Sequence, residues 1–483
     1  MVKATLQGAV LLGLLMLSVP TISLAEVQNV KVGGDITVRA FHRQNLDLHQ
    51  EDGEVGATLD GENFLMQTTA VNVGADLTEN VAANLRLTNE RNWDINPTSG
   101  TNAASGDIDV SQAYITLKEL FYSPLTVRVG TQPIVWGRGF ILGNNLFPSV
   151  NSTGDDRNAS ISANEFTDFT AFDAIRATLD LSGVAGLGLP LTADYVYIKS
   201  DENAVGDPND VNIQGVNLST HFDALSSELE TYYINKRDKN RAVEVTLGPP
   251  GGDDGVKNGS VSTIGIRGSA KPAQGSSVWG ELAYQFGRRT VDPAAILHMG
   301  DAHQAWAFDL GTEFSFEDVA MKPKVGAEWR FYSGKDVNGA VNGWGPVAPG
   351  YFTTALREFQ TGSTVAGFYG NDQTCFVNGA GRACTASGSN QHELGIWSTF
   401  TPIEDLTATS RLSWFVLDVG AIPVAGSKRR SFAGTEWDTN MVYNYTDDVQ
   451  FGFLYALFVP GSAYRTPTDS TAQELVSTVS VKF

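Results

Sequence analysis

Residues 30–40 read VKVGGDITVRA, and their polarity alternates with position along the chain. The even positions carry Val, Ile, Ala and one Gly, whereas the odd positions carry Lys, Asp, Thr, Arg and one Gly. Successive side chains of a β-strand point to opposite faces, so this period of two predicts a strand with one apolar face and one polar face.

The same alternation recurs along the rest of the chain in segments of about ten residues. The predicted strands cover residues 30–46, 61–77, 81–93, 109–118, 125–134, 169–181, 190–199, 212–222, 227–237, 261–270, 276–287, 303–316, 322–334, 391–401, 404–418, 427–445, 448–459 and 470–483. They number about eighteen, and an even number of strands is typical of bacterial outer-membrane barrels.

The connections between the predicted strands are alternately short and long. Tight turns are predicted at Thr78–Asn80, Thr401–Ile403 and Thr446–Asp447. The long connections, rich in Gly, Asn and Asp, are 47–60, 94–108, 141–168, 238–260 and 335–390. Outer-membrane barrels have this asymmetry, with short periplasmic turns and long outer loops.

Two other all-β folds also contain many short strands. A β-propeller needs an internal repeat of about 40 residues, and a large β-helix needs Gly/Asn-rich repeats of short period; the sequence contains neither. The predicted fold class is therefore all-β, a transmembrane antiparallel β-barrel of about eighteen strands with long extracellular loops.

The N-terminus has the features of a secretory signal. Lys3 precedes an apolar run over residues 9–19, and Ser23 and Ala25 supply the small residues of a cleavage site. We expect residues 1–25 to be removed after Ala25 and residues 26–483 to form a barrel in the outer membrane of a Gram-negative cell. The part after Ala25 contains no apolar run near the roughly 20 residues that a membrane-spanning helix requires.

The C-terminus supports the same location. Leu475, Val479, Val481 and the terminal Phe483 share one face of the last predicted strand. A terminal aromatic residue of this kind resembles the signal that the barrel-assembly machinery recognises, so that machinery is a predicted partner together with the outer-membrane lipid.

The composition excludes several other classes of protein. With 33 Lys+Arg against 54 Asp+Glu, the formal net charge is −21, which gives nucleic-acid binding no electrostatic support. The chain contains no zinc-protease motif, nucleophile elbow or phosphate loop. The acidic stretches Asp155–Asp156 and 251–254 do not follow an EF-hand pattern and are interpreted as solvated loop tips. We expect no enzyme, no cofactor and no metal site.

The two cysteines, Cys375 and Cys384, lie nine residues apart in the long connection 335–390. In an oxidising compartment they are predicted to form a local disulfide. The alternative, a pair of metal ligands, lacks a His or another Cys nearby. A connection of this length is usually a functional lid or a disordered segment, and the cysteine pair favours an ordered loop that folds over or into the extracellular mouth.

The polar faces of the predicted strands carry the residues expected to line the pore. The arginines on these faces are Arg39, Arg86, Arg128, Arg176, Arg267, Arg330 and Arg411. The acids are Asp35, Glu90, Asp180, Asp194, Glu281, Asp309, Glu328 and Glu436. They form either a network of paired charges that braces the lumen or a path of guanidinium groups that conducts an anion. Aromatic residues assigned to the lipid-facing side are Trp397, Trp414, Trp437, Tyr443 and Phe451.

A set of short motifs lies in order between about residues 110 and 465. The motifs are QAYI (112–115), VRVGTQ (127–132), WGRG (136–139), FDAIR (172–176), TIGIR (263–267), GELAYQFG (280–287), QAWA (304–307), KPKVG (322–326), SGKD (333–336), GTEWD (434–438) and FVPG (458–461). In this order and spacing they resemble the alginate export family of outer-membrane porins.

The resemblance implies a monomeric barrel of about eighteen strands that exports alginate through a lumen lined with Arg and Lys. The positions that match the family's cations are Arg128, Arg138, Arg176 and Arg267. Thr131 stands where the family has a further cation, and Lys335 interrupts the family's Ser-Gly-Asp signature.

The predicted function is an outer-membrane channel for a hydrophilic, anionic solute or exopolysaccharide, as in alginate-like export. The alternatives are a general porin and a structural or receptor barrel closed by the loop 335–390.

Overall fold

The computed structural model describes residues 29–46, 48, 61–93, 108–143, 163–183, 188–201, 210–238, 259–288, 302–334, 343–358, 375–378, 381–384, 390–421, 428–464 and 469–483. The predicted signal peptide, residues 1–25, lies outside the described residues.

Eighteen long strands form one sheet. They are β1 (Asn29–Gln44), β2 (Glu62–Thr78), β3 (Val81–Asn92), β4 (Asp109–Leu117), β5 (Leu125–Gln132), β6 (Phe172–Asp180), β7 (Leu191–Asp201), β8 (Val211–Phe222), β9 (Ser227–Asp238), β10 (Gly259–Ala270), β11 (Ser276–Arg288), β12 (Ala302–Ser315), β13 (Lys324–Tyr332), β16 (Gln391–Ile403), β17 (Leu406–Ala421), β18 (Arg430–Asn444), β19 (Val449–Pro460) and β20 (Ala472–Lys482). Each of the predicted segments overlaps one of these strands, so the predicted strand order and number are confirmed. The two remaining strands, β14 (Cys375–Asn378) and β15 (Gly381–Cys384), form a separate hairpin.

The sheet is closed and antiparallel. β1 pairs with β2 on one side and with the last long strand, β20, on the other, with Asp35 opposite Lys482. Closure gives every strand two neighbours, which satisfies the backbone hydrogen-bonding groups that lipid cannot satisfy. The predicted fold class, a transmembrane-type antiparallel barrel, is therefore confirmed.

The terminal residue contributes to the seam between β1 and β20. The N–H of Gly34 donates to the carbonyl of Phe483 at 2.8 Å, and the N–H of Phe483 donates back at 3.0 Å. The Phe483 ring lies over Gly34, where an added Cβ would be 2.7 Å from the ring. Glycine at position 34 therefore makes room for the terminal aromatic residue.

The connections alternate between the two ends of the barrel, and every connection longer than ten residues lies at the same end. β2 and β3 are joined by Glu79 and Asn80, and β18 and β19 by residues 445–448. The tight turn predicted at Thr401–Ile403 is wrong, because these residues belong to β16 and the turn is Glu404–Asp405. The pairing of β16 is irregular between Phe400 and Ile403, the kind of position at which a strand accepts a proline such as Pro402.

Helical structure is confined, in the described ranges, to single 3₁₀ turns at Leu120–Tyr122, Asn164–Phe166 and Ala224–Ser226. None of these is long or apolar enough to cross a membrane.

Parts of two long connections fold into the barrel. Residues 133–143 and 163–171, between β5 and β6, and residues 343–358, between β13 and β16, pack against inward-facing side chains and are called the inserted segments below. Phe140 and Leu142 are buried with Ile198, Ile213 and Ile234 of the wall. Residues 343–358 belong to the loop 335–390, which is predicted to fold over or into the extracellular mouth; Trp344 and Val347 of this part are buried with side chains of the wall.

The first and last inserted segments also contact each other. The N–H of Gly143 donates to the carbonyl of Ala348 at 2.8 Å, and the N–H of Gly350 donates to the carbonyl of Gly139 at 2.8 Å. A Cβ added at Gly143 would be 2.8 Å from backbone atoms of both Gly139 and Gly350. This close approach of two backbones requires glycine.

The backbone pairing of β14 and β15 places the two cysteines at a distance that a disulfide can bridge. Cys375 of β14 and Cys384 of β15 are directly opposite in the antiparallel pairing. Directly opposite Cα atoms are about 4.5–5.5 Å apart, which lies within the range that a disulfide bridges. The disulfide itself stays a prediction.

Replacing both cysteines with Ser is expected to increase channel flickering without changing barrel assembly, because the hairpin would lose its cross-link. Non-reducing peptide mapping tests whether the bond is present, and single-channel recording tests its effect. Identical records from the variant and the unmodified protein would contradict a role in gating.

Candidate functional site in the barrel lumen

A cavity of about 930 Å³ lies between the inserted segments and the short-turn end of the barrel. Its described lining is electrically mixed and includes several aromatic rings. The cations are Arg138, Arg267, Lys271 and Arg411; the acids are Glu165, Glu228, Glu313 and Asp438; the aromatic residues are Phe166, Trp279, Tyr351, Phe352 and Trp397.

The segment 343–358 is held against the wall by two buried carboxylates. Glu436 of β18 accepts hydrogen bonds from the N–H groups of Ala355, Leu356 and Arg357, at 3.0, 2.7 and 2.7 Å. Glu358 accepts the N–H of Thr353 at 2.8 Å and pairs with Arg330 of β13 at 3.0 Å. These buried hydrogen bonds, together with the contact between Glu358 and Arg330, fix the segment inside the lumen.

Opposing effects act on the carboxyl group of Glu358. Burial raises its pKa, and the guanidinium of Arg330 opposes that shift. The ion pair with Arg330 therefore favours the ionised form of this buried carboxyl group.

Arg138 projects from the first inserted segment into the cavity. Its Nη2 donates a hydrogen bond to the hydroxyl of Tyr351, and its guanidinium carbon lies 4.1 Å from the ring centre of Trp279 and 4.5 Å from that of Tyr351. The nearest carboxylate oxygens belong to Glu328 at 3.6 Å and Asp309 at 3.9 Å. Among the described residues, no carboxylate is within hydrogen-bonding distance of Arg138, whose side chain is 27% exposed.

Tyr351 links Arg138 to the wall. Its hydroxyl accepts from Arg138 and donates to Oε1 of Glu328 at 2.9 Å. Burial raises the pKa of the Tyr351 phenol, so the hydroxyl keeps the proton that it donates.

Gly137 allows Arg138 to reach this position. Its φ is +57°, in the left-handed region that favours glycine, and a Cβ added there would be 2.6 Å from Cδ of Arg267. The glycine therefore serves both the turn and the close approach to the wall.

Most of the predicted pore-lining arginines are paired with acids. Arg86 pairs with Asp35 at 2.9 Å and with Asp168, Arg176 pairs with Asp194 at 2.9 Å, and Arg267 pairs with Glu230 at 2.6 Å. Arg411 pairs with Glu328 and Glu393, both at 3.1 Å, and the buried Arg330 pairs with Glu358 and Glu393. For these five arginines the geometry favours the bracing network over a conducting path.

Arg39 and Arg128 differ from this pattern. Arg39 lies 5.1 Å from the ring centre of Phe166, and Arg128 lies 4.8 Å from that of Tyr114 and directly opposite Arg176 in the sheet. In the part of the chain that the structure describes, neither has a carboxylate within ion-pair distance.

Glu281, also expected to line the pore, is buried against the wall and accepts a hydrogen bond from the hydroxyl of Tyr232 at 2.7 Å. No cluster of His, Cys, Asp or Glu that could hold a metal ion occurs within the described ranges.

The assignment of Trp397 to the lipid-facing side is wrong. Its indole N–H donates to Glu313 at 3.2 Å, its ring centre is 6.2 Å from that of Trp279, and it lines the cavity. The signal was present in the sequence, because Trp397 is four positions from Glu393 and shares its face of β16. Trp437 and Phe451 do face outward, with 44% and 41% of their surface exposed.

Two residues of the site are not among those predicted from the sequence. Trp279 shares the polar face of β11 with Glu281, so its position could have been inferred from the alternation. Tyr351 lies in a long connection that has no alternation, and no signal in the sequence indicated that it would reach the lumen.

Solved structures of outer-membrane porins share this fold. The chain is similar to Pseudomonas aeruginosa OccK9 (OpdG), with a TM-score of 0.52 and 11% identity over 95% of this chain and 99% of that one. It is also similar to a BenF-like porin from Pseudomonas fluorescens Pf-5, with a TM-score of 0.51 and 10% identity over 95% and 100% of the two chains. At this level of identity the similarity shows the fold alone. A search of curated protein sequences found no match.

The sequence comparison identifies the family directly. The model of the alginate export family matches residues 30–478, which include every long strand except the ends of β1 and β20. The match agrees with the motifs quoted above and with the closed barrel of eighteen strands. The chain therefore belongs to the alginate export family.

Proposed function

We propose that this protein is an outer-membrane channel for hydrophilic anionic solutes, with its constriction where the inserted segments meet the wall at Arg138. The observation that carries the proposal is the state of Arg138, a partly exposed guanidinium that lines the cavity without a hydrogen-bonded carboxylate. Its two ion-pair partners, Glu328 at 3.6 Å and Asp309 at 3.9 Å, lie farther away than those of Arg176, Arg267 and Arg411. Its charge is therefore less closely neutralised, and it attracts an anion more effectively than these neighbours do.

Membership of the alginate export family makes an anionic polysaccharide the first solute to test. A general porin for small hydrophilic solutes is the alternative. Graded oligouronates distinguish the two: an export channel passes or is blocked by long oligomers, whereas a general porin passes only the shortest. Transport, rather than catalysis, is the activity that we propose for the barrel.

The location follows from the same proposal. We infer a signal peptide that ends at Ala25, insertion by the barrel-assembly machinery, and a monomer in the outer-membrane lipid. Sequencing the N-terminus of the purified protein tests the cleavage site, and a first residue other than Glu26 would contradict it.

A barrel closed by its loop is the competing function, and the anchoring of residues 343–358 favours it. Glu436 of the wall accepts hydrogen bonds from the backbone N–H groups of Leu356 and Arg357, and Glu358 of the segment accepts one from Thr353. These bonds hold the segment in the lumen. Conductance in planar bilayers separates the two functions, since a closed barrel carries no steady current.

Changing Arg128 and Arg138 together to Gln is expected to lower the ratio of anion to cation permeability. The change should be about threefold or more in 0.1 M salt and smaller in 1 M salt, where the Debye length falls from about 10 to 3 Å. Reversal potentials across a salt gradient measure this ratio. Arg176 is a poorer probe, because its removal leaves Asp194 unpaired and perturbs the wall as well.

The matched control changes Lys118 and Lys322 to Gln, which removes the same charge from short turns outside the lumen. Its reversal potential should stay close to that of the unmodified protein. A double Arg variant that behaves like this control would overturn the anion-selective function.

A further inference from the structure

We propose that Lys428, Arg429 and Arg430, at the rim of the barrel where β18 begins, bind the phosphate groups of a glycolipid in the outer leaflet of the membrane. The inference concerns the outside of the barrel and is independent of the proposed channel. It gives this stretch of the rim a partner of stated chemistry, a phosphorylated sugar head group carried on acyl chains.

The three cations are consecutive in the chain, and all three residues are exposed. In the part of the chain that the structure describes, none of them forms an ion pair. The strands on either side, β17 and β19, contain one acidic residue between them, Asp418. Its carboxylate accepts the N–H of Gly334 at 2.7 Å. The positive charge of the cluster is therefore available to an external anion.

The face of β18 that carries Arg430 is the face that contacts lipid. Phe432, two positions further along the strand, shares this face. Phe432 has 41% of its surface exposed, whereas the next residue, Ala433, is fully buried inside the barrel. Arg430 therefore projects outward beside an exposed aromatic ring, toward the membrane and away from the pore.

The cluster lies at the height of the lipid head groups. The exposed rings of Phe432 and Tyr443 are eleven positions apart on β18. A strand that rises about 3.3 Å per residue and is tilted by about 40° separates these two rings by about 28 Å along the membrane normal. The apolar band of outer-membrane barrels is about 25 Å tall, so the two rings mark its boundaries. Arg430 and Lys428 come before Phe432 in the chain and therefore lie just outside the hydrocarbon.

The same geometry places the cluster in the outer leaflet. β18 begins at the end of the barrel that carries every connection longer than ten residues, and this end faces the cell exterior in outer-membrane barrels. The glycolipid of that leaflet has phosphates on its sugar head group. A uronate polysaccharide instead has carboxylates and would meet the lumen face of the wall. The outward position of Arg430 therefore favours the lipid.

The experiment measures how tightly bisphosphorylated lipid A binds to the purified protein, refolded into detergent and free of cell lipid. Microscale thermophoresis at low salt, with a chelator present, gives the dissociation constant. Changing Lys428, Arg429 and Arg430 together to Gln is expected to weaken binding about tenfold or more, because each cation at an anionic lipid surface contributes about fivefold. Lipid A without phosphates should bind the unmodified protein and this variant equally weakly.

The matched control changes Lys31, Lys118 and Lys322 to Gln, which removes the same charge from the short-turn end of the barrel. Its affinity for bisphosphorylated lipid A should stay unchanged. Arg429→Lys combined with Arg430→Lys keeps the charge and should retain most of the affinity. Heat-modifiability on gels shows which variants form the barrel. If the triple Gln variant does not assemble, Arg430→Gln alone, expected to weaken binding about threefold to fivefold, provides the test.

Unchanged affinity of the triple Gln variant for bisphosphorylated lipid A would overturn the lipid site. An equal loss in the control, or an equal loss with lipid A that lacks phosphates, would overturn it as well. If the triple variant loses binding of oligouronates and keeps that of lipid A, the cluster serves a solute at the channel mouth and the lipid site is wrong. None of these outcomes depends on conductance, so failure of the proposed channel leaves the lipid site standing.

Discussion

Replacing residues 343–358 with a Gly/Ser stretch of the same length is expected to raise single-channel conductance severalfold. Side chains and backbone of this segment occupy the lumen and are anchored by Glu436 and Glu358. The replacement keeps the loop length and both cysteines but removes Tyr351 and the side chains that pack against the wall. A barrel of 16–18 strands without such a segment leaves an aqueous channel, so the current should increase.

The control replaces residues 239–254, a stretch of equal length in another long connection, and its conductance should stay near that of the unmodified protein. Glu436→Gln provides a finer test, because Glu436 accepts N–H groups with both oxygens, Ala355 and Leu356 on Oε1 and Arg357 on Oε2, whereas an amide has a single accepting oxygen. This variant should show more frequent openings with unchanged assembly. If removing residues 343–358 leaves the conductance as it is, the inserted segment does not limit the passage.

Deleting Phe483 is expected to abolish most of the assembled, heat-modifiable protein in the outer membrane. The deletion removes both backbone hydrogen bonds to Gly34 and the ring that covers this glycine. These contacts lie at the seam between β1 and β20, where unpaired backbone groups would face lipid. The yield of folded protein in membrane fractions measures the effect.

Two substitutions distinguish the effect of losing the seam contacts from the effect of losing apolar surface in general. Phe483→Ala keeps the backbone pairing and should give an intermediate yield. Phe451→Ala removes a lipid-facing ring from β19 and should assemble nearly normally. Undiminished yield after deletion of Phe483 would count heavily against its role in closing the barrel.

The strands were predictable because lipid imposes one rule along the whole wall. Each strand must present an apolar face outward. This requirement produces an alternation of apolar and polar residues in segments such as residues 30–40. The prediction failed at Thr401–Ile403, where Pro402 suggested a turn within a strand. It also missed β14 and β15, which form a separate hairpin rather than part of the barrel sheet and are only four residues long.

The alternation of apolar and polar residues is lost in the part of the wall beside the first inserted segment. β7 carries apolar residues on both faces, with Val196 and Ile198 buried inside the barrel. A water-filled lumen does not require an apolar inner face, and here that face packs against Phe140 and Leu142. Apolar residues on the inner parity were therefore a sign of an inserted segment, but they did not identify which segment.

By itself, the sequence determined the number and order of the long strands, the all-β barrel class, the asymmetry of its connections and the face on which most charged residues lie. These properties depend on local periodicity and on the boundary with lipid, which act on each strand separately. Only the tertiary structure decided which charges neutralise each other: Arg176 meets Asp194, Arg411 meets Glu328 and Glu393, and Arg138 meets two aromatic rings. The physical reason is that each of these contacts joins residues of different elements, whose distances are set by sheet register and by the path of the inserted segments. Neither of these is encoded in the period of a single strand.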